Sequence, residues 1–205
     1  MSKENKTRYA ILGVLSLAPM SGYDIKMVTD NSIGHFWNEN FGHIYPMLKR
    51  MEHEGLISRE VRYTPGRPDR SVYTLTDAGE KALTDWLLRE PEEQPTRIEL
   101  LLQVFFARAL PLPAVIEKLK KEKDLHERRL TTYETIERHL RQDGTHQGME
   151  DVPFWLMTIS FGMHRSRAVV AWCEETIQTL VDMQAAPGGR PPHKKVRDFK
   201  PHRLF

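Results

Sequence analysis

The chain has 205 residues, of which 40% are hydrophobic and 28% charged, a composition typical of a folded globular protein. Its single cysteine, Cys173, excludes an internal disulfide framework and any zinc site built from several cysteines. The net charge of +2 gives no evidence for nucleic-acid binding, and the charge is uneven: residues 90–184 hold 12 Lys/Arg and 16 Asp/Glu, whereas residues 185–205 hold six and one. A nucleic-acid-binding surface would therefore have to be local.

The N-terminus imitates a secretory signal peptide, because basic residues precede the apolar run YAILGVLSLA. A short buried helix explains the run better, since Ile11, Val14 and Leu15 repeat with helical spacing. No stretch approaches the roughly 20 apolar residues needed to cross a bilayer. We therefore expect a cytoplasmic protein with no membrane partner.

The next elements follow from local signals. The first helix covers about residues 7–18, and Ser21 with Asp24 forms a capping box that starts a second helix ending near residue 31. The polar stretch NSIGHFWNEN predicts a loop around a buried Phe36–Trp37 pair.

The segment FGHIYPMLKRMEHEGLI predicts a third helix with two different faces. Gly55 followed by Leu56 is typical of a Schellman ending. The face expected to be buried consists of Ile44, Met47, Leu48 and Met51. The opposite, polar face consists of His43, Tyr45, Lys49, Arg50 and His53.

A β-hairpin follows the third helix. The extended runs LISREVRY and SVYTLT flank TPGRPDR, a long connection whose tip should project, and Thr76 caps a fourth helix to about residue 88. Three helices and a hairpin are the order of a winged helix-turn-helix. In that fold the polar face of the third helix suits the major groove, and Arg67 and Arg70 suit the DNA backbone or minor groove. The alternative is that this charged face is merely solvated.

Several motifs of these first ninety residues resemble the PadR-type transcriptional regulators. The matching segments are Gly22–Tyr23, Ile44–Tyr45–Pro46, Leu48–Lys49–Arg50, Gly55–Leu56 and the wing end from Tyr73 to Gly79. Met51 replaces the usual leucine, and Asp69–Arg70–Ser71 is less basic than many wings of the family. The resemblance implies a DNA-binding domain over residues 1–90. Together with the residue pattern, it assigns to DNA binding Tyr23, His43, Tyr45, Pro46, Lys49, Arg50, Arg67 and Arg70.

The remaining residues predict helices only. After the linker EPEEQP, Thr96 with Glu99 forms a capping box for a helix with Ile98, Leu101, Leu102 and Phe105 on one face. A long helix over about residues 113–140 has a thin apolar seam that needs partners, and a last helix covers about residues 153–181. One side of the last helix carries Phe154, Met157, Phe161, His164, Ala168 and Ala171.

This pattern resembles the helical C-terminal domain of the longer PadR-type proteins. The resemblance implies that residues 91–184 form a dimerisation and effector domain, so that a homodimer places two heads on one palindromic operator of double-stranded DNA. The fold class is then mainly α with a small β-hairpin: an N-terminal winged helix-turn-helix followed by an all-helical dimerisation domain. Residues 185–205, rich in Gly, Pro and basic residues, are expected to form a disordered tail.

Aromatic residues on the last helix suggest an effector site, and the resemblance implies a small aromatic ligand. The candidates are Phe154, Trp155, Phe161, His164 and Trp172. The alternative is that they form core or subunit contacts, which aromatic residues dominate.

We expect no catalytic residue, metal or cofactor. The nine histidines lack metal-site spacing, Cys173 in AWCEE suits helix packing, and phosphate-loop motifs are absent from the sequence. The sequence predicts a homodimeric repressor released from DNA by an inducing signal. The alternative is a ligand-binding or scaffolding protein whose winged-helix head does not recognise DNA.

Overall fold

A computed structural model of the chain describes residues 5–37, 44–63, 69–93, 95–142, 144 and 148–186. It divides between residues 94 and 95 into two compact units, which we call the head and the helical unit. The described elements of the head are α1 (Thr7–Leu17), β1 (Met20–Ser21), α2 (Gly22–Asn31), a 3₁₀ turn (Ile33–His35), α3 (Ile44–His53), β2 (Ile57–Arg62), β3 (Arg70–Leu75) and α4 (Asp77–Leu87). Those of the helical unit are α5 (Glu99–Phe105), a 3₁₀ turn (Ala107–Ala109), α6 (Leu112–Gln142) and α7 (Val152–Ala185).

Local interactions determine where the helices of the head begin and end. The Ser21 hydroxyl accepts a hydrogen bond from the Asp24 N–H while the Asp24 carboxylate accepts one from the Ser21 N–H, which confirms the capping box of α2. After α3, Gly55 has a φ of +72°, and the Leu56 N–H donates to the Met51 carbonyl at 3.0 Å, so the Schellman ending is also confirmed. Thr76 caps α4 as predicted, accepting from the Gly79 N–H at 3.2 Å.

The head contains a small antiparallel sheet in the order β1-β3-β2. The two hairpin strands were predicted, but β1 was not, because a strand of two residues has no alternation that a sequence pattern could reveal. Ser21 of β1 lies opposite Val72 of β3, so the segment directly before α2 is tied to the hairpin. The mainly helical fold with this small sheet confirms the predicted fold class.

The core of the head lies between the helices and the sheet. The Tyr9 ring stacks on Trp86 with centroids 4.7 Å apart, which joins α1 to α4. The expectation that Phe36 is buried was wrong, since half of this residue is exposed just after the 3₁₀ turn. Those core residues that are less than 3% exposed are Ile11, Leu12, Ile25, Ile44, Leu48, Met51 and Ile57.

In the helical unit, α6 and α7 pack as an antiparallel pair with a repeat of seven residues. Leu119 shares a cluster with Cys173, His126 contacts Ser166, and Tyr133 packs with Ile159 and Met163. Buried positions recur every seventh residue on both helices, as in coiled coils. The central layer is polar: the His126 Nδ1 lies 3.1 Å from the Ser166 Oγ, and both residues are buried.

One expectation for the helical unit needed correction. α5 begins at Glu99 with Ile98 at the N-cap position, so Thr96 lies before the helix and the predicted capping box was wrong. Packing determines the orientation of this short helix: Leu100 and Val104 contact the α6–α7 cluster. The predicted faces of α5 and α7 are both exposed, including Ile98, Leu101, Leu102, Phe105, Phe154, Met157 and Phe161.

Candidate nucleic-acid interface

α3 presents a polar outer surface because its apolar stripe is anchored in the core. Ile44, Met47, Leu48 and Met51 are buried, as predicted. Because a helix turns once in 3.6 residues, Pro46, Lys49 and His53 lie opposite that stripe, and all three are exposed. Tyr45 and Arg50 flank this line on its two sides and are exposed as well. Such a helix can insert into a groove without any loss of its own packing.

The Tyr45 ring packs against a glycine of α2. A Cβ placed on Gly22 would lie 2.8 Å from the Tyr45 Cε1 atom, so only glycine allows the ring to lie where it does. Tyr23 follows in the first turn of α2 and is 64% exposed. The Gly-Tyr pair seen in the sequence therefore combines a packing position with an exposed aromatic side chain beside α3.

Arg50 is engaged by a carboxylate of its own chain. Its Nε donates to the Glu54 Oε1 at 2.8 Å, and the Arg8 Nη2 donates to the Glu54 Oε2 at 2.6 Å. The hydrogen bond from Arg50 and the positive charge of Arg8 lower the pKa of Glu54, although partial burial opposes them. Arg50 would thus have to exchange Glu54 for a base edge or a phosphate when it meets DNA.

Arg70 is engaged in the same manner at the base of the wing. Its Nη2 donates to the Asp24 carboxylate and, at 3.3 Å, to the Ser21 hydroxyl. Partial burial raises the pKa of Asp24, but the hydrogen bonds from Ser21 and the charge of Arg70 together outweigh this effect. The net result is a lowered pKa.

Sequence reasoning missed both carboxylate partners. The spacing of Arg50 and Glu54 could have revealed the first, because residues four apart on a helix are neighbours. Asp24 and Arg70 are 46 residues apart, and the sequence carries no signal for their contact. Two predicted DNA-binding residues, His43 and Arg67, lie outside the described residues.

The structure does not bring the five effector candidates together. Phe154, Phe161 and His164 share the exposed side of α7, whereas Trp172 packs against the buried cluster around Leu119 and Cys173, and Trp155 is half-buried. With a rise of about 1.5 Å per residue, Phe154 and Trp172 lie roughly 27 Å apart along the helix. One small ligand can therefore contact either end of this set within one chain, but not both.

A metal site and a membrane span are both absent from the part of the chain that the structure describes. Its His, Cys, Asp and Glu side chains form no group of three that could hold a metal ion. None of its helices is both long enough and apolar enough to cross a bilayer.

Comparison with known proteins assigns both parts of the chain to families. Residues 11–85 match the family model described as the transcriptional regulator PadR-like family, and residues 96–181 match the model described as the virulence activator alpha C-terminus. The negative transcriptional regulator PadR of Bacillus subtilis is 27% identical over 177 residues, which are 85% of this chain and 97% of that protein. The chain is similar to the PadR-type transcriptional regulators along most of its length. The resemblance drawn from its motifs is thereby confirmed.

Solved structures of PadR-type proteins agree with this assignment along nearly their whole length. B. subtilis PadR in complex with operator DNA has a TM-score of 0.75 at 25% identity, with 86% of this chain and 99% of that chain covered. The same protein in complex with p-coumaric acid has a TM-score of 0.68 at 26% identity, with 85% and 94% covered. These PadR-type relatives are regulators of transcription and are not described as enzymes.

Proposed function

We propose that this chain is a repressor that binds double-stranded DNA as a homodimer, with α3 of each head in the major groove of one half of a palindromic operator. The observation that carries the proposal is α3 itself, since one face is fully buried and the other exposes Tyr45, Pro46, Lys49 and Arg50. A relative of the same fold was solved with operator DNA, which supports the assignment. We propose no catalytic role, and we expect the protein to act in the cytoplasm.

Dimerisation would cover the apolar side of α7. Phe154, Met157 and Phe161 are each about two-thirds exposed, and with His164 they follow the alternating spacing of three and four residues that favours a second helix. A row of exposed aromatic and methionine side chains is unusual on a monomer and typical of an interface. We therefore assign this row to contact with a second copy of the chain.

A small planar aromatic effector would release the repressor. B. subtilis PadR was solved with p-coumaric acid, and the aromatic rings of α7 could stack on a planar ring of this type. Phe154, Phe161 and His164, which we assign to the dimer contact, would meet the effector only at the interface of two chains, and Trp155 and Trp172 are the candidates on the packed sides of α7. Effector and DNA must each lower the affinity for the other by the same factor.

Fluorescence anisotropy with a labelled duplex from the region upstream of the protein's own gene tests this function. We expect tighter binding to this duplex than to a scrambled one of equal length, and release when p-coumaric acid is added. Equal affinity for both duplexes would contradict the repressor assignment and favour a ligand-binding or scaffolding protein.

The dimer is tested separately by light scattering. Phe161→Glu should convert the dimer into a monomer, because it places a charge in the apolar row. Ser160→Glu, on the adjacent exposed position of α7, is the matched control and should leave the dimer intact. A dimeric Phe161→Glu variant would show that another surface joins the two chains.

A further inference from the structure

The base of the wing contains two arginines that face one another. Arg62 of β2 and Arg70 of β3 form the last described pair of the hairpin, and like charges directly opposite destabilise a sheet. A carboxylate accompanies each of them. Arg62 donates to Glu60 of its own strand at 3.1 Å, whereas Arg70 donates to Asp24 at the start of α2.

The contact between Arg70 and Asp24 belongs to the network that starts α2. One oxygen of Asp24 accepts from the Ser21 N–H at 3.1 Å, from the Ser21 hydroxyl at 2.8 Å and from Arg70. The Ser21 oxygen in turn accepts from the Asp24 N–H and the Arg70 guanidinium, each at 3.3 Å. The hydroxyl thus uses its one proton and both lone pairs, so Arg70 completes the network.

Beyond the last backbone pair between β1 and β3, side chains hold the wing to the helix-turn-helix. β1 stops at Ser21, which pairs with Val72, and the chain then turns into α2. Arg70 lies two residues before Val72 on β3, beyond the end of β1. Its ion pair therefore joins the wing to the helix-turn-helix at the point where no further backbone pairing with β1 is possible.

We propose that Arg70 is a positioning residue for DNA binding, which holds the wing against α2 through Asp24 and does not itself contact the DNA backbone. This proposal rests on the proposed DNA-binding function. A transfer of Arg70 to a phosphate would leave the Asp24 carboxylate without its cation beside a polyanion, which is unfavourable. With the ion pair kept intact, the wing presents its other groups to DNA at a fixed angle.

Operator affinity distinguishes a positioning role from a contact. Asp24→Asn keeps an oxygen that can accept from the Ser21 N–H but loses the charge that holds Arg70. We expect Asp24→Asn and Arg70→Gln each to weaken binding of the duplex from the upstream region about twofold to fivefold, the effect of losing a partly exposed ion pair. The double variant should bind no more weakly than Arg70→Gln, because both changes remove one interaction. Asp30→Asn, which also removes a carboxylate of α2 that is paired with a cation, is the matched control and should bind this duplex as the wild type does.

A phosphate contact would give the opposite pattern. Removal of an acidic group near DNA raises affinity by simple electrostatics, so tighter binding by Asp24→Asn would overturn the proposal. The salt dependence should be unchanged in Arg70→Gln. A decrease of about one in the slope of log affinity against log salt would identify a lost phosphate contact and would also overturn the proposal.

Amide hydrogen exchange of the free, full-length protein tests whether the Asp24–Arg70 ion pair holds the wing in the absence of DNA. Exchange of the β2 and β3 amides should be faster in Asp24→Asn and Arg70→Gln than in Asp30→Asn. Unchanged exchange in both variants would overturn the proposal whether or not the protein binds DNA. Faster exchange in a protein that binds no duplex would instead show that the proposed function fails, and the role of this ion pair in DNA binding fails with it.

Discussion

Lys49 lies at the centre of the outer surface of α3 and provides the simplest test of how that surface meets DNA. Lys49→Ala should weaken binding to the promoter duplex and to a scrambled duplex alike, and flatten the salt slope by about one, as expected for a lost phosphate contact. Its exposure predicts an unchanged melting temperature. Anisotropy titrations at several salt concentrations measure both quantities.

Lys81→Ala is the control, since Lys81 is exposed on α4 of the same head. Equal affinity of Lys49→Ala and the wild type at every salt concentration would remove Lys49 from the interface.

Gly22 leaves room for the Tyr45 ring, and Gly13, which has no such neighbour, provides a control for the general effect of replacing a helical glycine. In Gly22→Ala the new Cβ would lie 2.8 Å from the Tyr45 ring, so the ring must turn away and DNA affinity should fall. Apart from its chain neighbours and the backbone of its own helix, no described atom lies within 4 Å of a Cβ placed on Gly13, inside α1. Gly13→Ala should therefore stabilise the head by about 0.5–1 kcal/mol and leave DNA affinity unchanged. Thermal melting and anisotropy compare the two variants, and a Gly22→Ala protein with wild-type affinity would show that the position of Tyr45 does not matter.

At the level of elements, the polar layer between α6 and α7 predicts a dependence of stability on pH. Burial, and then the charge of Arg129, lower the pKa of His126 below its usual 6.5, while Glu122 opposes them and Arg165 adds to them. Between the lowered pKa and 6.5 the unfolded chain binds more protons than the folded one. This part of the stability is therefore complete above about pH 6.5 and is lost as the pH falls through the lowered pKa of His126.

Thermal unfolding between pH 7.5 and pH 5 measures this dependence. His126→Gln, which is neutral at every pH, should reduce the fall in melting temperature on acidification, because one titrating group of slope up to about 1.4 kcal/mol per pH unit is removed. Identical pH profiles for the wild type and His126→Gln would contradict the assignment.

The elements also show what could be predicted from the sequence. The cap at Ser21, the ending at Gly55 and the buried stripe of α3 depend on residues within a few positions, and each was predicted. The start of α5 and the pairing of β1 depend on contacts with distant parts of the chain, and neither was predicted. For the candidate site, exposure of Tyr45 and Lys49 followed from helical spacing. The carboxylate that engages Arg70 did not, because no local pattern links residues 46 positions apart.

At the scale of the whole molecule, the division between residues 94 and 95 predicts what the helical unit contributes to binding. A fragment of residues 1–94 should keep its helices and sheet, because the head has its own core from α1 to α4. It should nevertheless lose operator affinity by about 10²–10⁴-fold, since two linked heads make the second contact intramolecular. Circular dichroism and anisotropy against the same duplex measure fold and affinity. A monomeric fragment with native affinity would mean that the helical unit serves signalling alone.

Cys173 is buried against Leu119 in the α6–α7 pair, so the rate at which its thiol is modified reports how often this pair opens. Burial, and then the charge of Glu122, raise the pKa of its thiol, so a thiol reagent finds few thiolates even when it arrives. Modification should therefore require local separation of the two helices, and its rate should depend on how often that separation occurs. Since the chain holds one cysteine, every modified molecule reports the same event. A ligand that stabilises the α6–α7 pair would lower the rate of Cys173 modification, and a ligand that destabilises the pair would raise it, with no label added to the protein beforehand.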